Sequence, residues 1–351
     1  MALFDFSEVS FERLIVHGVG NKKEDGFVYL SKQDVAITDE GVQAVLLSYF
    51  LRPFKTEEFY SFDTDIDMSD NPVLHAVHNI FDNPANFAQL STVIAQHLFE
   101  VSVHPNIKQG ELYVAYFHNV HLEDEIVDAV GIFKSENKDT YIKVFQKGDR
   151  YDIDADSGVN IKRVDKGCLI FNTEPEHGYR MSIIDNTNKS SEALYWKESF
   201  LMARPMENDF YNTKNFLSLC RDFGEHVLTK DNNVDNIDKI DFMNKSIEYF
   251  KDKSEFDQED FEKSVIRNPE VIEAFNSYKE EFEEMNSLEA DDSFAISKDA
   301  VKSNQKYFKS IIKLDKNFHV YVHGKPEYME KGYDKAKDKK FYKLYYDSEM
   351  L

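Results

Sequence analysis

Three consecutive runs decide the fold class: Glu111-Leu-Tyr-Val-Ala-Tyr-Phe-His-Asn-Val120, Val127-Asp-Ala-Val-Gly-Ile-Phe-Lys134 and Asp139-Thr-Tyr-Ile-Lys-Val-Phe-Gln146. Each is rich in Val, Ile, Tyr and Phe, which is strand composition. Tyr151–Asp154, Gly167–Asn172 and Tyr179–Asp185 continue the pattern, and Glu192–Phe200 reads as one more strand. Strands that follow one another across short connections favour an antiparallel or mixed sheet, with helices kept to one side. This is an α+β reading.

Upstream, Phe11–Val19 and Gly26–Leu30 read as two short strands around the polar turn Asn21-Lys-Lys-Glu-Asp25. A helix is expected from Thr38, as its N-cap, through Leu51. Asn71–Phe81 and Pro84–Val101 read as two more, the second with Pro84 in its first turn, where a missing N–H costs nothing. Downstream the period changes to that of helices. Phe216, Leu219, Cys220, Phe223 and Val227 share one helical face, as do Ile240, Met243, Ile247 and Phe250. Asn268-Pro269 is an N-cap followed by proline at the first helical position, and Val271, Phe275, Tyr278, Phe282 and Met285 follow at three- and four-residue spacing.

Lys302, Lys306, Lys309, Lys313 and Lys316 are spaced four, three, four and three, which would make one stripe on a continuous helix. The alternation of Phe318, Val320 and Val322 with His319, Tyr321 and His323 argues instead for a short helix at 298–307 followed by strands at 308–314 and 317–323. Tyr328–Asp334 and Lys340–Tyr346 would pair across Lys335-Ala-Lys-Asp-Lys339. The expected organisation is an α+β domain at 1–206 with a mixed or antiparallel sheet, an acidic helical region at 207–297, and a lysine-rich β lobe at 298–351.

The 351 residues are 42% hydrophobic and 14% aromatic, enough for a substantial core. No run approaches 18 apolar residues, so a transmembrane helix is not expected and no membrane partner is. Met1–Phe11 lacks the basic start and apolar stretch of a secretory signal. Together with only two cysteines, Cys168 and Cys220, this points to buried thiols in a reducing cytoplasm. The formal charge is −23, unevenly spread. Residues 1–206 hold 19 basic and 33 acidic side chains, residues 207–297 hold 10 and 24, and residues 298–351 hold 13 and 8. A chain this acidic is repelled by nucleic acid at long range, so any DNA contact must be local, in the basic C-terminal lobe.

Motifs for chemistry fail on inspection. Asp152-Ile-Asp-Ala-Asp-Ser-Gly158 resembles a calcium loop, but glycine is at position 7 and Arg163 at position 12, where an EF-hand needs glycine at 6 and glutamate at 12. Asp63, Asp65, Asp67 and Asp70 form a similar acidic run without glycine. His75/His78 and His118/His121 are pairs without the third ligand that zinc needs. His17-Gly18-Val19-Gly20 is not a dinucleotide fingerprint, and neither a P-loop nor a Gly-x-Ser-x-Gly elbow occurs. No catalytic residue, metal or cofactor is assigned.

Phe11-Glu-Arg-Leu-Ile-Val-His17, Asp165-Lys-Gly-Cys-Leu-Ile-Phe-Asn172 with Asp185-Asn-Thr-Asn188, and Phe308-Lys-Ser-Ile-Ile-Lys-Leu-Asp-Lys-Asn-Phe-His319 together resemble the bacterial nucleoid-associated protein family called NdpA-like. The resemblance covers nearly the whole chain in order. It implies a non-enzymatic cytoplasmic protein associated with the nucleoid and its DNA, with some members linked to a type II topoisomerase. It implies no catalytic residues. The resemblance carries over no DNA-contact residues, and the candidates come from the charge of the basic lobe: Lys309, Lys313, Lys316, Lys325, Lys335, Lys337, Lys339 and Lys340. Such contacts would be sequence-nonspecific and salt-sensitive. A homodimer is expected only by analogy with architectural proteins that need two contacts. Two other readings compete: acidic helices that bind a basic partner, and a metal-dependent enzyme acting on nucleic acid.

Overall fold

The computed structural model describes residues 3–187, 195–229, 234–288, 291–308, 311–322 and 328–348. The chain divides into two compact units, Met1–Met206 and Glu207–Leu351.

The first unit is built on a nine-stranded sheet. Its strands are β1 (Phe4–Asp5), β2 (Ser10–Val19), β3 (Val28–Tyr29), β4 (Phe59–Phe62), β5 (Gly110–Leu122), β6 (Glu125–Ser135), β9 (Lys166–Phe171), β10 (Arg180–Asp185) and β11 (Ala203–Pro205). The intervening β7 (Lys138–Lys147) and β8 (Arg150–Val159) form a separate two-stranded ribbon. The order is β11-β4-β10-β9-β6-β5-β2-β3, with β1 beside β5, and every pairing is antiparallel. The three runs read from the sequence are thus real strands, but only two belong to the central sheet.

The helices are α1 (Glu40–Leu51), α2 (Pro72–Asp82) and α3 (Phe87–Val101). Asn71 caps α2 by accepting from the N–H groups of Val73 and Leu74, with Pro72 at the first position. Pro84 lies in a separate 3-10 turn, Pro84–Asn86, ahead of α3. The cap of α1 is Asp39, accepting from Val42 N, rather than Thr38.

Helices cover both faces of the sheet, which corrects the one-sided expectation. On one face Val77 and Ile80 of α2 and Ile94 and Leu98 of α3 pack on Val114, Ile132, Ile170 and Met181. On the other, Tyr49, Phe50 and Leu51 at the end of α1, with Phe54, pack on Phe117, Phe133, Leu169 and Phe171. The central strands show the consequence: all six residues of β9 are buried, so its apolar run does not alternate.

Residues 195–201 are a further correction. Tyr195–Leu201 form a π-helical turn, not a strand, and Trp196, Phe200 and Leu201 bury against the α2–α3 face. Their separations of four and five are helical rather than strand spacings. Residues 192–194 lie outside the described residues.

The second unit has α4 (Asp209–His226), α5 (Asn236–Asp252), α6 (Gln258–Phe261), α7 (Pro269–Asn286) and α8 (Lys298–Asn304), with strands β12 (Glu255–Asp257) and β13 (Ser293–Ala295) paired to each other. Phe216, Phe223, Phe250, Phe256, Phe261 and Phe275 form its centre, mostly in tilted or edge-on ring pairs such as Phe216–Phe261 at 5.2 Å. Two hairpins end the chain: β14 (Ile311–Leu314) with β15 (Phe318–Tyr321), and β16 (Met329–Asp334) with β17 (Lys339–Leu344).

Candidate nucleic-acid interface

The hairpins sit where they do because of α5. Asp235 caps this helix, accepting from Ile237 N, and the helix presents Ile240 outward from the aromatic centre. Ile312, Leu314, Val320 and Val322 of the first hairpin and Met329 and Tyr342 of the second gather on Ile240. An ion pair reinforces the seat: Lys331 Nζ lies 2.8 Å from Asp235 Oδ2. This bond holds the Asp235 carboxyl below its usual range and raises the Lys331 ammonium.

With one face of each hairpin on the helix, the turns are left to solvent. Lys316 is exposed in the β14–β15 turn, and Lys335 and Lys337 are exposed in the β16–β17 turn. Lys339 and Lys340 begin β17, opposite Asp334 and Tyr333. Adjacent strand residues leave opposite faces, so Lys339 and Lys340 diverge across the hairpin. Lys313 pairs with His319 in the register of β14 and β15. Lys309 and Lys325 lie outside the described residues. Within the lobe, Lys337 approaches Asp334 at 3.8 Å and Lys343 approaches Glu330 at 3.5 Å. Tyr345 donates to the same Glu330 carboxylate at 2.8 Å.

Concave basic surface lies beside this lobe. A groove of about 580 Å³ runs between α5, the end of α8 and the β15 edge. Lys251 comes from α5, and Lys302 and Lys306 come from α8 and the turn after it; Glu248 is the one acid among its lining residues. Phe308, Val322 and Ile247 supply apolar lining, while Tyr321 is exposed at its edge. Lys302 and Lys306 are the start of the four-three lysine spacing seen in the sequence. Lys251 could not be foreseen, because it reaches the groove from another helix.

A family profile described as nucleoid-associated protein YejK matches residues 15–341. The chain belongs to this family. No curated protein matches it. Membership in a nucleoid-associated family agrees with the NdpA-like resemblance and covers both units, including both hairpins up to Phe341.

The stretch of the first unit that carried the resemblance is built into the fold. Asp165 accepts from Glu136 N, Asn137 N and Asn137 Nδ2 at 2.7–2.9 Å, closing the turn between β6 and the ribbon. Lys166 is fully buried and donates to both oxygens of Asp185 at 2.9 and 2.8 Å and to the Thr187 hydroxyl. Its neighbour across the sheet is Lys134, also fully buried, which bonds Glu136 and the Lys108 carbonyl at 2.9 Å. Burial pushes the Lys134 ammonium pKa down.

The remaining tempting motifs are also in the first unit. Asp152 and Asp156 stand on β8 of the ribbon and pair with basic side chains beside them. His118 is held between Asp128 and Glu12, each at 2.8 Å, and the Asp128 bond is the main reason its pKa is raised. Among the described residues no group of three or more His, Cys, Asp or Glu side chains is arranged to hold a metal. No described helix is long and apolar enough to cross a membrane.

Proposed function

We propose that this chain is a non-enzymatic nucleoid protein, working in the cytoplasm, that contacts DNA through the lysines of its second unit. The observation that supports this most is the groove beside the C-terminal hairpins, where Lys251, Lys302 and Lys306 converge. The exposed hairpin lysines Lys316, Lys335, Lys337, Lys339 and Lys340 add positive charge to the same unit, with Lys309, Lys313 and Lys325 completing the set expected from sequence. Lysine is a point charge on a flexible stem, suited to phosphate contacts that do not read sequence. The rest of the chain is acidic, which confines the contact to this region.

The test is fluorescence anisotropy on unrelated duplexes over a salt series. Lys251→Glu, Lys302→Glu and Lys306→Glu together should weaken binding equally for all sequences. For every phosphate that a variant no longer neutralises, the slope of log K against log salt should flatten by about one. A second variant reversing Lys309, Lys313, Lys337 and Lys340 tests the hairpins. Unchanged affinity in both variants, with wild-type circular dichroism, would overturn the reading.

A second reading has its own support. A groove of about 640 Å³ in the helical unit has an apolar floor that includes Phe223, Val227 and Val271, with Asp238, Asp241 and Glu270 among its lining residues. Such a groove fits a basic amphipathic segment of a protein partner. A type II topoisomerase is the partner that the family resemblance suggests. Pull-down with Asp238→Lys and Glu270→Lys separates the two readings: capture abolished with DNA affinity intact assigns the acidic groove to a protein.

A further inference from the structure

We propose that the β7–β8 ribbon is a dimerisation arm, whose uncharged face packs against the same face of a second copy of this chain. The ribbon is a two-stranded sheet of its own, paired without interruption from Lys138↔Val159 to Lys147↔Arg150. At about 3.3 Å per residue its ten-residue strands reach roughly 33 Å. The register sorts its side chains onto two faces. One face carries Ile142, Val144, Tyr151 and Ile153, respectively 68%, 62%, 72% and 72% exposed. From Thr140 to Gln146 and from Tyr151 to Ser157, this face holds no charged residue. The other face carries the charges, Lys143 paired with Asp156 at 2.8 Å and Asp152 with Lys147 at 3.2 Å and Arg150 at 3.0 Å, and sets Tyr141 and Phe145, 45% and 46% exposed, among them.

A lone two-stranded ribbon is marginally stable in water, and an open stripe of β-branched side chains invites pairing. The chemistry of the stripe selects its cover. Nucleic acid does not fit, because residues 138–159 hold four basic and five acidic side chains and none lies on the apolar stripe. A strongly charged protein partner meets the same objection. A second copy presents an identical neutral stripe, and a two-fold axis crossing the strands at the Val144–Ile153 pair sets Val144 and Ile153 of one arm on their counterparts in the other. Chains of charge −23 repel, so a neutral patch is where two of them can meet. Four side chains on each arm, at roughly 100–150 Å² apiece, remove on the order of 1,000 Å² together, the lower bound for a specific interface.

Sedimentation equilibrium of the full chain at micromolar concentration is the first measurement, and a dimer is expected. Ile142→Asp with Ile153→Asp places charges in the centre of the interface and should weaken the dimer by at least about a hundredfold. A cysteine pair of experiments gives an independent reading, because Cys168 and Cys220 are both fully buried. Val144→Cys on the neutral face should yield a disulfide-linked dimer on mild oxidation, and Phe145→Cys on the charged face should not. A wild-type monomer, a folded aspartate variant that stays dimeric, or equal crosslinking from both cysteines overturns the proposal. Should the aspartate variant fail to fold, the cysteine comparison decides alone.

Discussion

Two lysine–aspartate pairs, one in each unit, share the same closest N–O separation of 2.8 Å. In the first unit Lys166 and Asp185 have side chains 0% and 7% exposed; in the second, Lys331 and Asp235 are 38% and 35% exposed. Distance therefore says nothing about what each pair does. The first unit encloses Lys134 and Lys166 between strands roofed on both faces, and each buried ammonium must be matched inside the fold. The second uses helices and short hairpins that leave most lysines in water, where they remain available to an anion. Burial decides the role: Lys134 and Lys166 in the first unit and Lys279 in the second are matched inside the fold, while Lys316, Lys335 and Lys337 stay open to solvent. The exposed lysines of the second unit are accordingly the candidates for DNA, and those of the first unit's network are not.

The sharpest way to break this contrast is to remove the buried charge. Lys166→Met removes the ammonium that bonds both Asp185 oxygens and should cost about 3–5 kcal/mol, seen as a large fall in the chemical-denaturation midpoint. Adding Asp185→Leu should recover most of the loss, since an apolar pair of similar size avoids burying the carboxylate without that ammonium. A loss below about 1 kcal/mol for the single change would place Lys166 with the surface lysines.

Acid separates the units next. His17 is 1% exposed; Ser31 N donates to its Nδ1 at 3.1 Å, and its Nε2 lies 3.0 Å from the Ser91 hydroxyl. That geometry favours the neutral ring, because a proton on Nδ1 would face the Ser31 N–H. Burial lowers its pKa from 6.5 to about 4. The folded pKa is depressed, so the stabilisation is complete above 6.5 and is lost as pH falls through about 4. The expected loss approaches about 3 kcal/mol, and His17→Gln should flatten it. The described histidines of the second unit, His226 and His319, are exposed and have no such burial to relieve. Equal acid slopes in the wild type and in His17→Gln would show that the ring does not control this range.

How much of the molecule is legible in its sequence follows the same division. The hairpins near the C-terminus are readable because Phe318, Val320 and Val322 alternate and Asp315-Lys-Asn317 interrupts them. The helices of the second unit are readable from their caps and three-four spacing. The ribbon is readable as strands, but Ile142, Val144 and Ile153 look like any core alternation, and only the three-dimensional register shows that their face is open. Trp196 and Phe200 pass for strand residues because a single helical turn is too short to show its period among aromatic residues. Lys134 and Lys166 give no sign of burial, since a lysine looks the same whether a strand is roofed on one face or two. Lys302 and Lys306 are visible as a spacing, while Lys251 needs the packing of α5 against α8 to join them.

The smallest effect tests the exposed end of the comparison. Lys331→Met removes an ion pair that is more than one-third exposed, and such pairs contribute about 0–1 kcal/mol after solvent screening and side-chain entropy. Met keeps much of the apolar stem beside Tyr342, its partner in the β16–β17 register, so the change isolates the charge. Asp235→Ala removes the same pair and also the α5 cap, where the carboxylate accepts from Ile237 N at 3.3 Å. It should therefore cost about 1 kcal/mol more than Lys331→Met, in the range measured for caps. High salt should erase the cost of Lys331→Met, because exposed pairs are screened, and leave the cap contribution in place. If the two variants are equally destabilised, the carboxylate acts only through Lys331 and the hairpin, not α5, depends on it. If Lys331→Met costs as much as Lys166→Met, burial is not what separates the two units.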